Sequence, residues 1–559
     1  MTALLQIMMS LPIIGRAGTG TGWRFDMDKY PDIFNLPFLF RITILIVYLV
    51  LLVAIAAWAA KYWSRLWTIT RLTVLQAIRM KVAVVLILFT LSLVAVLPFL
   101  LKTDDTPYGQ IRVAITYTVY TAQFLLCVLT LFLATATLCS EFKGKQIYSL
   151  DSKPVPRWCV LTGKWLGVMV INVALLAGVG GILYGIVRYQ ARMPEVGRVE
   201  VTEEMPEFVQ MQIAGVRQSN EILRAQVLRA RVMREPTLPD GRHYTDLVRQ
   251  RAAVEMEERR EAGTLPDNRS EEWIFDALCR RINNEVVMVA PGNFMQWRID
   301  GLPTDLRDDD YVTLRFHIRG VPRPPGNEIV GFWQMGRYDP ERERFTGPVY
   351  AENPYQARAW LCDQAHSVTV PARVVDPEEG ALTVRFYNMT EGGRSAAVFP
   401  ATDGIRLYVP VGGFEVNLIR GLALVFVKLA YLAVLGLVCA SFLTFPVASF
   451  TAFSLFLISL AGGYLYDLVG KVHLFGTGLV RPGTPMEEGD EVVQWIMGRA
   501  LMLFPDLGSY DPVPFLTDGQ AVPWGLVGYA AFTIVGIYSV ILAVIGGFIF
   551  HRREVAGLD

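Results

Sequence analysis

Residues 421–466 read GLALVFVKLAYLAVLGLVCASFLTFPVASFTAFSLFLISLAGGYLY, 46 positions with Lys428 as the sole charge. A bilayer core about 30 Å thick is crossed by about 20 helical residues, so this run is twice the length of one span. Thr444, Phe445 and Pro446 interrupt it and read as a tight turn between two membrane helices. Outward from this stretch, five further runs of span length carry almost no charge: Phe38–Ala60 with Arg41 alone, Val82–Leu101, Val113–Ser140, Trp165–Val187 and Trp524–Phe550. The expectation is a polytopic α-helical membrane protein with seven spans. Composition agrees, since 53% of the 559 residues are hydrophobic and 19% charged, against about 45–50% and about 25% in soluble domains. Lys and Arg number 52, as do Asp and Glu, and this balance argues against a nucleic-acid partner, which needs a basic excess or stripe. It argues equally against intrinsic disorder.

Basic residues in short loops stay cytoplasmic. Residues 61–81 hold Lys61, Arg65, Arg71, Arg79 and Lys81 with no acid; residues 141–164 hold Lys143, Lys145, Lys153, Arg157 and Lys164 against Glu141 and Asp151. Both loops are therefore expected inside, which places the N-terminus outside and the tail His551-Arg552-Arg553 in the cytoplasm. The expected organisation is an extracytoplasmic segment at 1–36, spans one to four over 37–187, an extracytoplasmic insert from 188 to 415, and spans five and six over 416–466. An extracytoplasmic loop at 467–523 and the last span with its tail at 524–559 complete it. Met1–Ile14 is apolar but lacks a cationic leader pattern, so an interfacial segment is expected there rather than a signal peptide.

The insert has two textures. In 188–270 the positions Val209, Ile213, Val216, Asn220, Leu223, Val227 and Ala230 recur at intervals of four and three, a coiled-coil seam, and a second charged helix runs from Tyr244 to Glu261. A helical hairpin is expected, with a seam between two copies as the alternative. In 271–415 apolar residues alternate at Met295/Trp297/Ile299, Val312/Leu314/Phe316/Ile318, Leu382/Val384/Phe386 and Ile405/Leu407/Val409, the pattern of a β-sandwich. Trp297, Trp333 and Tyr387 serve its core or stack on a ligand. Asn268 and Asn388 open N-x-S/T sequons. The six cysteines show no CxxC; Cys279 and Cys362 pair only if the insert is oxidised. His366, four residues after Cys362, lacks further ligands, so no metal site is expected.

Catalytic motifs are not evident. Gly163-Lys164 is followed by Trp165 and lacks the upstream glycine of a phosphate-binding loop, so ATP is not expected to bind this chain. Intramembrane charge marks transport pathways. Lys428 is the candidate intramembrane polar site, although its place eight residues after Arg420 predicts snorkelling toward the outer interface.

The segment between the third and fourth apolar runs is short, amphipathic and pinned between two membrane helices, so a push on it moves both. Glu141, Phe142, Ile147 and Tyr148, then Lys153-Pro154 and Arg157, then Gly163-Lys164 opening the next helix, resemble the intracellular coupling segment of ABC transporter permeases of the type-2 export class. Thr70–Arg79 resembles that family's N-terminal cytoplasmic helix, with Arg65, Arg71 and Arg79 as its basic residues. Ser441–Ala448 resembles its fourth-to-fifth helix turn, and Phe550–Glu554 its terminal signature. Pro505-Asp506-Leu507 fits as well. The extra first span and the long insert depart from the family pattern. The resemblance implies an inner-membrane dimer with a second or related permease copy, contacts with membrane lipids, and separate cytoplasmic ATP-binding subunits that hold ATP and Mg. The alternative is a membrane-anchored extracytoplasmic binding or sensing module without transport.

Overall fold

The structure is a computed structural model, and it describes residues 60–101, 107–143, 156–191, 228–238, 244–262, 271–307, 310–351, 357–390, 395–400, 404–469, 496–501 and 503–552, with a few isolated positions between them. The run 38–60 and the loop residues 144–155 lie outside this set, apart from Ala60. In chain order, helix α1 (60–79) is followed by α2 (Lys81–Leu100), α3 (Pro107–Lys143) and α4 (Arg157–Gln190). Strand β1 (Arg229–Arg234) and helices α5 (Tyr244–Glu261) and α6 (Glu271–Val286) come next. Then come β2 (Met288–Val289), β3 (Phe294–Ile299), β4 (Tyr311–His317), β5 (Arg319–Val321), β6 (Glu328–Asp339), β7 (Arg344–Ala351) and β8 (Arg358–Leu361). The strands end with β9 (Ala365–Pro371), β10 (Leu382–Asn388), β11 (Ala396–Val398) and β12 (Ile405–Gly413). Helices α7 (Phe414–Phe442), α8 (Phe445–Leu460), α9 (Gly462–Val469) and α10 (Val513–Thr517) follow. The last apolar run is α11 (Trp524–Ala530), a π-helical stretch α12 (Ala531–Ser539) and α13 (Val540–Arg552).

The chain divides into two compact units, one of residues 1–192, 415–517 and 522–559, the other of 193–414 with 518–521. In the helical unit, five helices among the described residues are long and apolar enough to cross a membrane: α2, Gly109–Phe142, Trp158–Gln190, α7, and Trp524–His551. The turn expected at 444–446 is present, with Pro446 in the first turn of α8, where a missing N–H costs nothing. Helix α8 has only 16 residues; it stops at Ala461, and Leu507 N donates to Ser459 O at 2.9 Å beside the break. Helices α3 and α7 are buried along most of their length, while α2 turns Val82, Val85, Leu88 and Phe89 outward. Close backbone approach needs small residues. A Cβ on Gly436 would lie 2.8 Å from the Ala134 Cβ, and one on Gly546 2.4 Å from Val438. Arg188 at the end of α4 forms an ion pair with Glu415 at the start of α7, so the helix ends that flank the insert meet.

The second unit is built on antiparallel sheets. A four-stranded sheet runs β1-β12-β4-β9 and a five-stranded sheet β3-β10-β6-β7 with β8 also on β6; β2-β11-β5 forms a third. The alternating residues of β3, β4, β10 and β12 form these sheets, and their apolar positions share one core around Trp333, which is fully buried 4.7 Å from Phe316 and 4.9 Å from Phe386. Gly331 is obligatory there, since a Cβ would sit 2.3 Å from the Phe386 ring.

Two details differ from the sequence expectation. Ala230, the last position of the expected seam, lies in β1 opposite Gly412 of β12; of the other seam positions only Val209 and Ile213 are described. The helix Tyr244–Glu261 forms where charge and periodicity place it, but it packs on α6, inside the span assigned to strands, through Val248, Ala252, Ile274, Leu278 and Ile282. The α6 pattern Ile274/Leu278/Ile282 has a period of four, so the helix pair straddles residue 270. Residues 518–521 also join this unit: Arg231 N donates to Gly519 O and Ala521 N to Arg231 O, both at 2.8 Å.

Candidate functional site

The residues flanking 144–155 form a helical junction. Glu141 and Phe142 end α3, and Gly163 and Lys164 lie in the second turn of α4. Lys164 is fully buried; its Nζ donates to Glu141 Oε1 at 2.7 Å and to Thr137 O at 3.1 Å. A buried ammonium persists only where charge and donors are met. The spacing of Thr137 and Glu141, one turn apart on α3, meets both.

Helix α1 closes the junction from a third side. Leu66, Thr70, Thr73 and Ala77 are buried along one stripe, at helical spacing. Thr70 Oγ1 donates to Gly163 O at 3.2 Å, and Gln76 Nε2 donates to Ser140 Oγ at 2.6 Å and to Thr137 O at 3.3 Å. Gly163 and Gly167 make room: a Cβ at either would lie 2.8 Å from Ile69 or 2.6 Å from Thr73. The other face of α1 carries Arg65, Arg71 and Arg79, all exposed, with Trp63 and Trp67 stacked 6.5 Å apart. Helix α13 supplies the fourth side. Phe550 meets Phe142 edge-on at 6.1 Å, and Gly547 lies against the Trp158 ring, where a Cβ would come within 2.2 Å.

Of the residues singled out for coupling, Glu141, Phe142, Gly163 and Lys164 thus belong to one junction. Arg157 is the first residue of α4; Ile147, Tyr148, Lys153 and Pro154 lie outside the described residues. The sequence reading placed Thr70 and Gln76 in a cytoplasmic helix but assigned neither of them, nor Thr137 or Gly167, a part in this junction. The Gly163-x-x-x-Gly167 spacing was the available signal, because it marks a groove for a neighbouring helix.

Lys428 does not snorkel. It is 1% exposed within the bundle, and its Nζ has no hydrogen-bond partner among the described residues. Asp511 and Asp506 are the carboxylates whose charge reaches it. Asp506 is itself held by the N–H groups of Gly508 and Ser509, at 3.0 and 3.3 Å, and by the Ser509 hydroxyl. Thr130 and Asn172 add a buried hydrogen bond of 3.0 Å between α3 and α4.

In the insert, Trp297 and Trp333 are core residues. Cys362 belongs to that core and Cys279 to the α5–α6 cluster, so the two thiols lie in separate clusters; burial raises the Cys362 thiol above its ordinary value. His366 Nε2 engages Leu361 O at 2.8 Å and packs on Trp360 and Phe316. Asn388 is buried, its Nδ2 donating to Val289 O and Ser395 O, so the sequon at 388 is occupied by a structural role. Among the described residues no cluster of three or more His, Cys, Asp or Glu could hold a metal.

Compared with protein-family models, with curated proteins and with solved structures, the chain matches none.

Proposed function

We propose that this chain is the transmembrane permease subunit of an ABC exporter in the cytoplasmic (inner) membrane, driven by separate cytoplasmic ATP-binding subunits. The observation that carries this reading is the Glu141–Lys164 pair. A loop that only connects two spans has no need to bury an ammonium at its base. Here the ends of α3 and α4 are locked to each other and to α1, so a force applied to residues 144–156 displaces several helices together rather than bending one. That is the mechanical property an energy-coupling segment requires. The amphipathic α1, with exposed arginines and paired tryptophans, suits the headgroup layer on the same side.

The reading comprises seven spans with the N-terminus outside and the C-terminus inside, the insert outside as a helical pair on a β-sandwich, and a dimer with a second or related permease. ATP and Mg reside in the partner subunits. Tyr148→Ala and Ile147→Ala test it, because each would remove an apolar anchor of the kind that typically contributes about 1–2 kcal/mol or more to an interface. Co-purification of the ATP-binding subunit, or ATP hydrolysis by the assembled complex, falls in both variants while the membrane level of the chain holds. Unchanged association and hydrolysis would leave the sensing-module alternative as the better account.

A further inference from the structure

Helix α3 carries a polar stripe along most of its length. Thr116, Tyr120, Gln123, Cys127, Thr130, Thr137 and Glu141 recur at intervals of four, three and seven, which holds them within an arc of about 100° on one face. Other elements bring polar groups to it. Thr116 Oγ1 pairs with Thr517 Oγ1 of α10 at 3.0 Å, and the Tyr120 hydroxyl faces the Asp511 carboxylate. Lys428, the middle residue of α7, lies within electrostatic reach of Asp511 and of the Cys127 thiol. Thr130 bonds Asn172 of α4, and Thr137 and Glu141 hold Lys164.

Hydrogen-bonding capacity is left over along this stripe. Gln123 Oε1, Lys428 Nζ, Asn172 Nδ2 and Glu141 Oε2 are buried and have no hydrogen-bond partner among the described residues. Two donors and two acceptors on one seam suit water, which offers both. An intramembrane ammonium between a carboxylate and a hydroxyl–amide pair is also a group that can lose and regain a proton. The titratable groups around it are Asp506 and Asp511 on the connector and Tyr120 and Cys127 on α3, and Tyr538 of α12 faces Asp506 in turn. The stripe has one break. Between Thr130 and Thr137, about 10 Å of helix, its position is held by Ala134. Gly436 of α7 packs there so closely that a Cβ on it would lie 2.8 Å from the Ala134 Cβ.

We propose that this stripe is a proton path through the helical unit, with Lys428 as its relay and the Ala134–Gly436 contact as the point that interrupts it. A proton carried by the Asp511 carboxyl passes to the Lys428 amine, and the ammonium so formed gives a proton to water at the Thr130–Asn172 pair. One proton enters for each that leaves, and only N–H and O–H bonds are made or broken. Larger ions fit the path less well, because a metal cation would have to pass a fixed ammonium and an anion the carboxylates of Asp511 and Glu141. Such a path needs the helices to cross a membrane but needs no ATP-binding subunit, so its absence would leave the permease reading where it stands.

The test uses the full chain, purified without partners and reconstituted in vesicles that enclose a pH-sensitive dye, with proton entry driven by a valinomycin-clamped potassium gradient. Ala134→Ser continues the stripe with a hydroxyl that the helix accommodates as it does that of Thr135, which bonds Leu131 O at 2.8 Å. Protons enter vesicles of this variant several-fold faster than those of the parent, and adding Lys428→Met returns the rate to the parent's. Ala134→Gly opens the same contact without added bulk, gives the same gain, and keeps the test valid if the serine variant folds poorly. The proposal is overturned if neither Ala134 variant conducts protons faster than the parent, or if Lys428→Met leaves the raised rate intact.

Discussion

At the scale of the residue, two buried lysines have opposite circumstances. Lys164 has its carboxylate, and removing one partner of such a pair strands the other; single substitutions Lys164→Met or Glu141→Gln are expected to cost about 3–5 kcal/mol. The double replacement Lys164→Met with Glu141→Leu removes both charges and recovers most of that loss, which thermal unfolding in detergent measures. Glu141→Arg is accordingly a poor probe of a partner surface, because it places a second cation beside Lys164 inside the junction. Lys428 has no acceptor among the described residues, so an apolar side chain of similar length relieves a desolvation cost. Lys428→Met should leave the folded amount and melting temperature unchanged or higher. A lower value would mean that Asp511 and Asp506 depend on the ammonium, a relation that the sequence reading, which placed Lys428 at an interface and marked Asp506 for another reason, did not contain.

At the scale of the element, α1 is held by the absence of side chains on α4. Gly167→Val would drive a methyl into Thr73 and lift α1 from the junction, so hydrogen exchange across residues 66–77 rises while α2 amides stay protected. The helix pair α5–α6 has an electrostatic clasp in which Arg281 and Arg259 both reach Glu255. Burial pushes the Glu255 carboxyl up, but the hydrogen bonds from the two arginines outweigh it and hold the group below its ordinary value. A lowered carboxyl contributes stability above the unfolded value of about 4.3, and that contribution is lost as pH falls through the folded value. Exchange protection of α5 and α6 in Glu255→Gln should therefore be weaker than in the parent at pH 7, and the gap should close below about pH 4. Both helices are readable from periodicity; that they pair with each other, rather than α5 with the seam before it, is a matter of which apolar stripes meet.

At the scale of the whole molecule, the proposed topology is tested by thiols placed near Gly18 and in the tail after His551. The first should react with an impermeant maleimide in intact cells and the second only after the membrane is opened; the reverse order would remove the seven-span reading. Five apolar runs from Val82 onward, the turn at 444–446 and the strand alternation were legible in the sequence, because each reflects a local repeat of about 20, 3.6 or 2 residues imposed by bilayer thickness or backbone geometry. Local repeats do not specify which residues meet across long separations. Residues 518–521 joining β1, Lys164 finding Glu141 and Thr137, and Gly547 receiving Trp158 bring together residues about 23 to 390 positions apart in sequence, and such partners are chosen by packing. The sequence by itself thus determined a chain of apolar helices interrupted by a stranded insert, since hydropathy and alternation are properties of neighbours. Only the tertiary structure decided that the ends of those helices form a junction around one buried ion pair, because satisfying a charge away from water requires a partner that no local pattern names.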